Sequence, residues 1–188
     1  MVSSFNSIKK EIFGILKKSP LVFEITHANL TLKWLLKLKP NADIALQIAA
    51  LSHDIERAVT GITEKDLKDY SKISEFKKKH SIRSAEIILG LLERHGFSEA
   101  ITKKVFLLVK DHEFGNSKES KILMEADSLA YFDYNIPGYL KRNGKERTKE
   151  KIRFMYNRLS KKARRTVQRM KFKNSEIKKL FKESIESK

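Results

Sequence analysis

Within residues 146–171, Ile152, Met155, Tyr156, Leu159, Ala163, Val167 and Met170 recur at spacings of three and four, the rhythm of an apolar stripe along one or two helices. The rest of the chain is patterned similarly, and alternating β-branched runs are scarce. Helices are predicted near 5–18, 21–38, 42–58, 76–94, 98–112, 120–133, 146–159, 161–171 and 174–186. Breaks fall at Pro20, Lys39-Pro40-Asn41, Gly96-Phe97-Ser98, Gly115-Asn116-Ser117 and Asn135-Ile136-Pro137-Gly138. Residues 59–75, TGITEKDLKDYSKISEF, carry few apolar positions and read as a loop or short helix. The expected fold class is therefore all-α. At 188 residues and 40% hydrophobic content, the chain suits one good core with a peripheral appendage and is short for two full domains.

Against this apolar background, His27, His53-Asp54, His80, His112 and Asp127 each interrupt a helix-like segment. Burying an imidazole and a carboxylate in surroundings such as ALQIAALSHDIERAV costs several kcal/mol unless they are paired or coordinated. Neutral imidazole and carboxylate are ordinary ligands of divalent transition metals, which gather donors from distant parts of a chain. Adjacent His53 and Asp54 would lie about 100° apart on a helix, so both reach one cavity only where a helix end or face borders it.

The tandem His53-Asp54 in ALSHDIER, with His27 in EITHANL before it and Asp127 in MEADSLAYF after it, resembles the HD superfamily of metal-dependent phosphohydrolases. The resemblance covers roughly residues 20–135. It implies an HD-domain helical bundle over 1–140; the apolar stripe and charge of the remainder predict a basic helical extension over 141–188 packed on it. His80 in KKKHSIRSAEII and His112 in VKDHEFG match the two further histidines of the two-metal branches. On that resemblance the cofactor is a pair of divalent ions, Fe, Mn, Co, Ni or Zn. Asp54 bridges them, His27, His53 and Asp127 complete one site, and His80 and His112 complete the other. Many relatives read HDIGK or HDIAK where this chain has His53-Asp54-Ile55-Glu56-Arg57, so a small residue is replaced by Glu56 at the expected pocket mouth. The second HH pair and GYP segment of the cyclic-di-GMP branch are missing.

The implied activity is hydrolysis of a phosphate ester or anhydride of a nucleotide or related phosphorylated small molecule. Asp54 holds the metals and orients the attacking water, and Arg57 and Arg83 are the candidate substrate-binding cations. Each arginine has an alternative role, pairing with a nearby carboxylate. Residues 59–75 would cover the metal cavity. The ligand order is also similar to that of small bacterial diadenosine tetraphosphate hydrolases and of HD-fold di-iron oxygenases, so ligands alone leave oxygenation open. A non-catalytic nucleotide- or nucleic-acid-binding HD module is the third reading.

Charge is unevenly distributed. Residues 141–188 hold 19 Lys+Arg against 5 Glu, +14 of the total +17. Arg153, Arg158, Lys161, Lys162, Arg164, Arg165 and Arg169 are expected largely on the solvent side of the C-terminal helices. They form either a solvated face, a funnel for a phosphorylated substrate, or a nucleic-acid surface. His95 reads as a helix C-terminal residue complementing the dipole, and Glu113 either bonds a ligating imidazole or faces water. Tyr131 and Phe132 read as core. No cysteine is present, no run approaches a membrane span, and no signal-peptide pattern opens the chain, so a cytoplasmic, membrane-free protein is expected.

Overall fold

The computed structural model describes residues 2–186, and among them no strand occurs. In chain order the helices are α1 (Val2–Leu16), α2 (Glu24–Leu38), α3 (Ile44–Ser52), α4 (Ile55–Thr60), α5 (Ile73–Arg94), α6 (Glu99–Lys110), α7 (Lys118–Ala130), α8 (Ile136–Asn157), α9 (Lys161–Gln168) and α10 (Ser175–Glu186). The all-α bundle expected from the pattern is the fold. None of these helices is long and apolar enough to cross a membrane.

The most apolar segment, IALQIAALS of α3, becomes the central helix. Ala45, Leu46, Ile48, Ala49, Ala50, Leu51 and Ser52 are all buried, as expected of a helix that is apolar nearly all round. Helices α1, α2, α6 and α7 pack around it, and α5 lies along α6. Side-chain caps start several helices where the sequence offers them: Asp43 accepts from the Leu46 N–H at 3.0 Å, Ser117 from Ser120 at 3.1 Å and Ser160 from Ala163 at 3.3 Å. Each such cap is worth about 1 kcal/mol.

A second apolar cluster forms around the C-terminal helices. Phe132, Ile152, Met155, Leu159, Val167, Leu180 and Phe181 pack together there. Trp34 and Leu38 on α2 touch both clusters and join the two layers. The stripe read between 146 and 171 is thus buried as expected, with α8 and α10 packed on each other and α9 on α7.

Two boundaries differ from the sequence expectation. The helix expected over 42–58 is two helices, because the backbone turns at Asp54, φ −104° and ψ 12°. The break expected at 135–138 is not one: a π-helical turn, Tyr131–Asn135, runs into α8. Pro137 sits in the first turn of α8, the part of a helix that tolerates proline best.

The true interruption is Gly144, at φ 75° and ψ 177°. Only glycine occupies this region without strain. A Cβ added there meets no atom within 4 Å, so Gly144→Ala isolates the backbone term. We expect it to destabilise the protein by about 1–3 kcal/mol in chemical denaturation. An unchanged midpoint would mean that the kink relaxes into regular helix.

Candidate metal centre

All six candidate ligands converge at one place. His27 comes from α2, His53 and Asp54 from the turn between α3 and α4, His80 from α5, His112 from just beyond α6, and Asp127 from α7. All six are buried. The turn that splits α3 from α4 lets the adjacent His53 and Asp54 face the same space.

The donors form two groups sharing Asp54. Asp54 Oδ2 lies 3.5 Å from His53 Nε2 and 3.7 Å from His27 Nε2. Asp127 Oδ1 adjoins the same pair, 3.1 Å from His27 Nε2 and 3.7 Å from His53 Nε2. The other oxygen, Asp54 Oδ1, faces His80 Nε2 at 3.0 Å and His112 Nε2 at 4.0 Å. The two imidazoles of the first group bring their Nε2 atoms to 3.3 Å of each other.

The tautomers fit a cation. His53 Nδ1 donates to the Ala50 carbonyl at 3.1 Å, His112 Nδ1 to the Val109 carbonyl at 2.6 Å, and His80 Nδ1 to the Glu56 carboxylate at 2.8 Å. These acceptors have no proton to give, so each neutral ring presents a bare Nε2 lone pair toward Asp54. Lone pairs and carboxylate oxygens at these distances repel one another unless a proton or metal ion lies among them. Burial lowers the basicity of His53 and His80. For His53, Asp54 and Asp127 overcome it and raise the pKa to about 9; for His80, hydrogen bonds to Asp54 and Glu56 do so. His112 is pushed down to about 4 by burial. Burial pushes the Asp54 and Asp127 carboxyls up, but Arg57, His53 and His80 around Asp54, and hydrogen bonds from His27 and His53 with the charge of Arg158 at Asp127, hold both well below the usual carboxylate range. The donor set therefore suits divalent ions, and these buried groups can hold them.

Cations surround the centre. Arg57 pairs with Asp54 and, at 3.4 Å, with buried Glu24. Arg158 binds Asp127 Oδ2 and Glu113 Oε2, each at 3.2 Å. Lys77 binds Glu113 at 2.8 Å, and Lys151 binds Glu64 at 2.7 Å. A cavity of about 90 Å³ opens above the ligands, lined by these groups with Phe23, Tyr131, Tyr139 and Arg142. Thr63, Glu64 and Lys65 line it too, so the segment after α4 covers the cavity as expected.

Four expectations change in detail. Arg83 does not line this cavity; its guanidinium pairs with Glu56 at 2.6 Å on the far side of His80, where that buried carboxylate attracts it. Glu56 is not at the pocket mouth but fully buried behind His80. Glu113 does not face water and makes no hydrogen bond to an imidazole: Lys77 and Arg158 hold its Oε2, while its Oε1 stands 4.0 Å from His112 Nε2. Arg158, expected on the solvent side, is 8% exposed and reaches the ligands. Its position three after Met155, beside the buried stripe, was the available signal. Tyr131 and Phe132 are buried as expected, although Tyr131 also faces the cavity, and His95 ends α5 with its ring on Glu11.

The chain matches, over residues 11–180, the family model described as a domain of unknown function, DUF4202. The match spans most of the sequence, and the protein belongs to that family. No curated protein and no solved structure shows significant similarity to it.

Proposed function

We propose that the protein is an HD-type, metal-dependent phosphohydrolase acting on a phosphate ester or anhydride of a nucleotide or related phosphorylated small molecule. The observation that carries this reading is Asp54, which turns its two oxygens to two separate histidine pairs at the floor of a cation-rich cavity. A pair of divalent ions held there supplies positive charge and an activated water near neutral pH.

The chain's own groups do the rest. Asp54 and Asp127 would hold the ions; Arg158 fixes Asp127 through the oxygen turned away from the histidines, and Arg57 pairs with Asp54 Oδ2, the oxygen that faces His27 and His53. Glu64 and Glu113 are already neutralised by lysines. Arg142 stands 4.7 Å over the Phe23 ring with no carboxylate at ion-pair distance among the described residues. It is thus the cation best placed to receive a phosphoryl oxygen. Such a lining suits an anionic substrate better than the neutral carbon substrate an oxygenase would need.

The test is phosphate release from a panel of phosphomonoesters, nucleotides and dinucleoside polyphosphates. Metal-stripped protein is reconstituted anaerobically with Mn²⁺, Co²⁺ or Fe²⁺. Metal-dependent turnover is expected on part of the panel; two metals per chain with no phosphate released from any member would overturn the reading.

A pH dependence follows from Lys77. Burial lowers its pKa from 10.5 to about 8, against the opposing pull of Glu113. As pH rises through 8 the cavity loses one positive charge, so KM for an anionic substrate should rise, and Lys77→Met should flatten that arm. Unfolding takes up a proton between pH 8 and 10.5, so the buried charge costs stability below 8, and the cost fades as pH climbs toward 10.5. An alkaline arm that survives in the variant would exclude Lys77 as its source.

A further inference from the structure

The two halves of the centre are supported unequally. Behind His80, Glu56 Oε2 accepts the Nδ1 proton at 2.8 Å, while Oε1 is held by Arg83 at 2.6 Å and by the Thr60 hydroxyl at 3.0 Å. The carboxylate is fully buried and fixed on three sides. A carboxylate accepting from a ligating imidazole locks the ring's tautomer and orientation and makes its other nitrogen a stronger donor. His112, in the same half, is locked by the Val109 carbonyl.

The other half has weaker support. His27 Nδ1 is buried without a hydrogen-bond partner. Both of its carboxylates also carry a guanidinium, Arg57 on Asp54 Oδ2 and Arg158 on Asp127 Oδ2. These cations draw negative charge away from any ion bound there, and they offset the advantage of a second carboxylate. Asp54 Oδ1, on the His80 side, has no such cation at ion-pair distance among the described residues.

Resting on the binuclear reading above, we infer that the two metal sites differ in strength: the Asp54–His80–His112 site fills first, and Glu56 is the positioning residue that makes it the tighter one. The chain then passes through a defined one-metal state, with the His27–His53 site filling only at higher metal concentration. The family resemblance does not supply this role, because many of the relatives it was drawn from carry a small residue in place of Glu56.

Co²⁺ titration of the metal-free full chain, followed by calorimetry and visible absorption, tests the order. Two phases are expected, with dissociation constants at least about tenfold apart. Glu56→Gln should weaken the tighter phase by about 10–100-fold and leave the weaker one in place. His27→Ala should remove the weaker phase and spare the tighter one, and His112→Ala should do the reverse. If Glu56→Gln does not fold, as judged by circular dichroism, the two histidine variants alone decide the order. Two equal phases, equal weakening of both by Glu56→Gln, or a tight phase lost in His27→Ala would each overturn the inference while leaving a binuclear enzyme intact. No Co²⁺ binding at all would overturn both it and the function on which it rests.

Discussion

Asp54→Ala is expected to remove both metal ions together, whereas His27→Ala removes one. The difference arises because Asp54 alone presents an oxygen to each histidine pair: Oδ2 lies 3.5 Å from His53, and Oδ1 lies 3.0 Å from His80. Hydrolysis should fall by more than about 10³-fold, since the loss of even one preorganised charge-stabilising group costs about 10²–10³-fold. The fold should survive, because Arg57 keeps Glu24 as a partner at 3.4 Å. Elemental analysis beside circular dichroism checks this directly. A folded variant that retains one ion at full strength would mean that the two halves do not depend on a shared carboxylate.

The second large effect is expected far from the ligands. Phe181 on α10 meets Phe132, Tyr156 and Phe172, with ring centroids 5.8, 6.0 and 5.1 Å away. Phe181→Ala removes the centre of this aromatic cluster and should cost about 3–5 kcal/mol. For a chain of this size that corresponds to a melting temperature roughly 10 °C lower. The cluster seats α8, which carries Met155, Lys151 and Arg158 to the cavity. KM for the substrate should therefore rise while metal content stays unchanged. A destabilised variant with wild-type KM would show that α8 holds its position without α10.

The convergence of the candidate ligands was legible in the sequence because residues that can bind metals are few in kind and stand out on apolar helices. His27, His53, Asp54, His80, His112 and Asp127 each break an otherwise buried pattern, and all six meet. The turn at Asp54 was only partly legible: Ser52-His53-Asp54 are weak helix formers within an otherwise strong segment, but tertiary packing decides the break. The direction of the charged side chains was not legible. Arg83, Glu56 and Arg158 look alike as exposed or buried candidates until the helices are assembled, because a long charged chain follows its partner rather than its own periodicity. Lys77, the first of three consecutive lysines, gave no sign of being the buried one. In the C-terminal region, net charge described a surface, while Arg142, Lys151 and Arg158 turn toward the cavity.

Arg158 lies 31 residues beyond Asp127, the last of the ligands, and Arg142 and Lys151 also follow it in the chain. All six candidate donors thus precede the stretch that supplies Arg142, Lys151 and Arg158 to the cavity. Substitutions after Asp127 can therefore reshape the charge of the cavity wall without altering a single candidate donor.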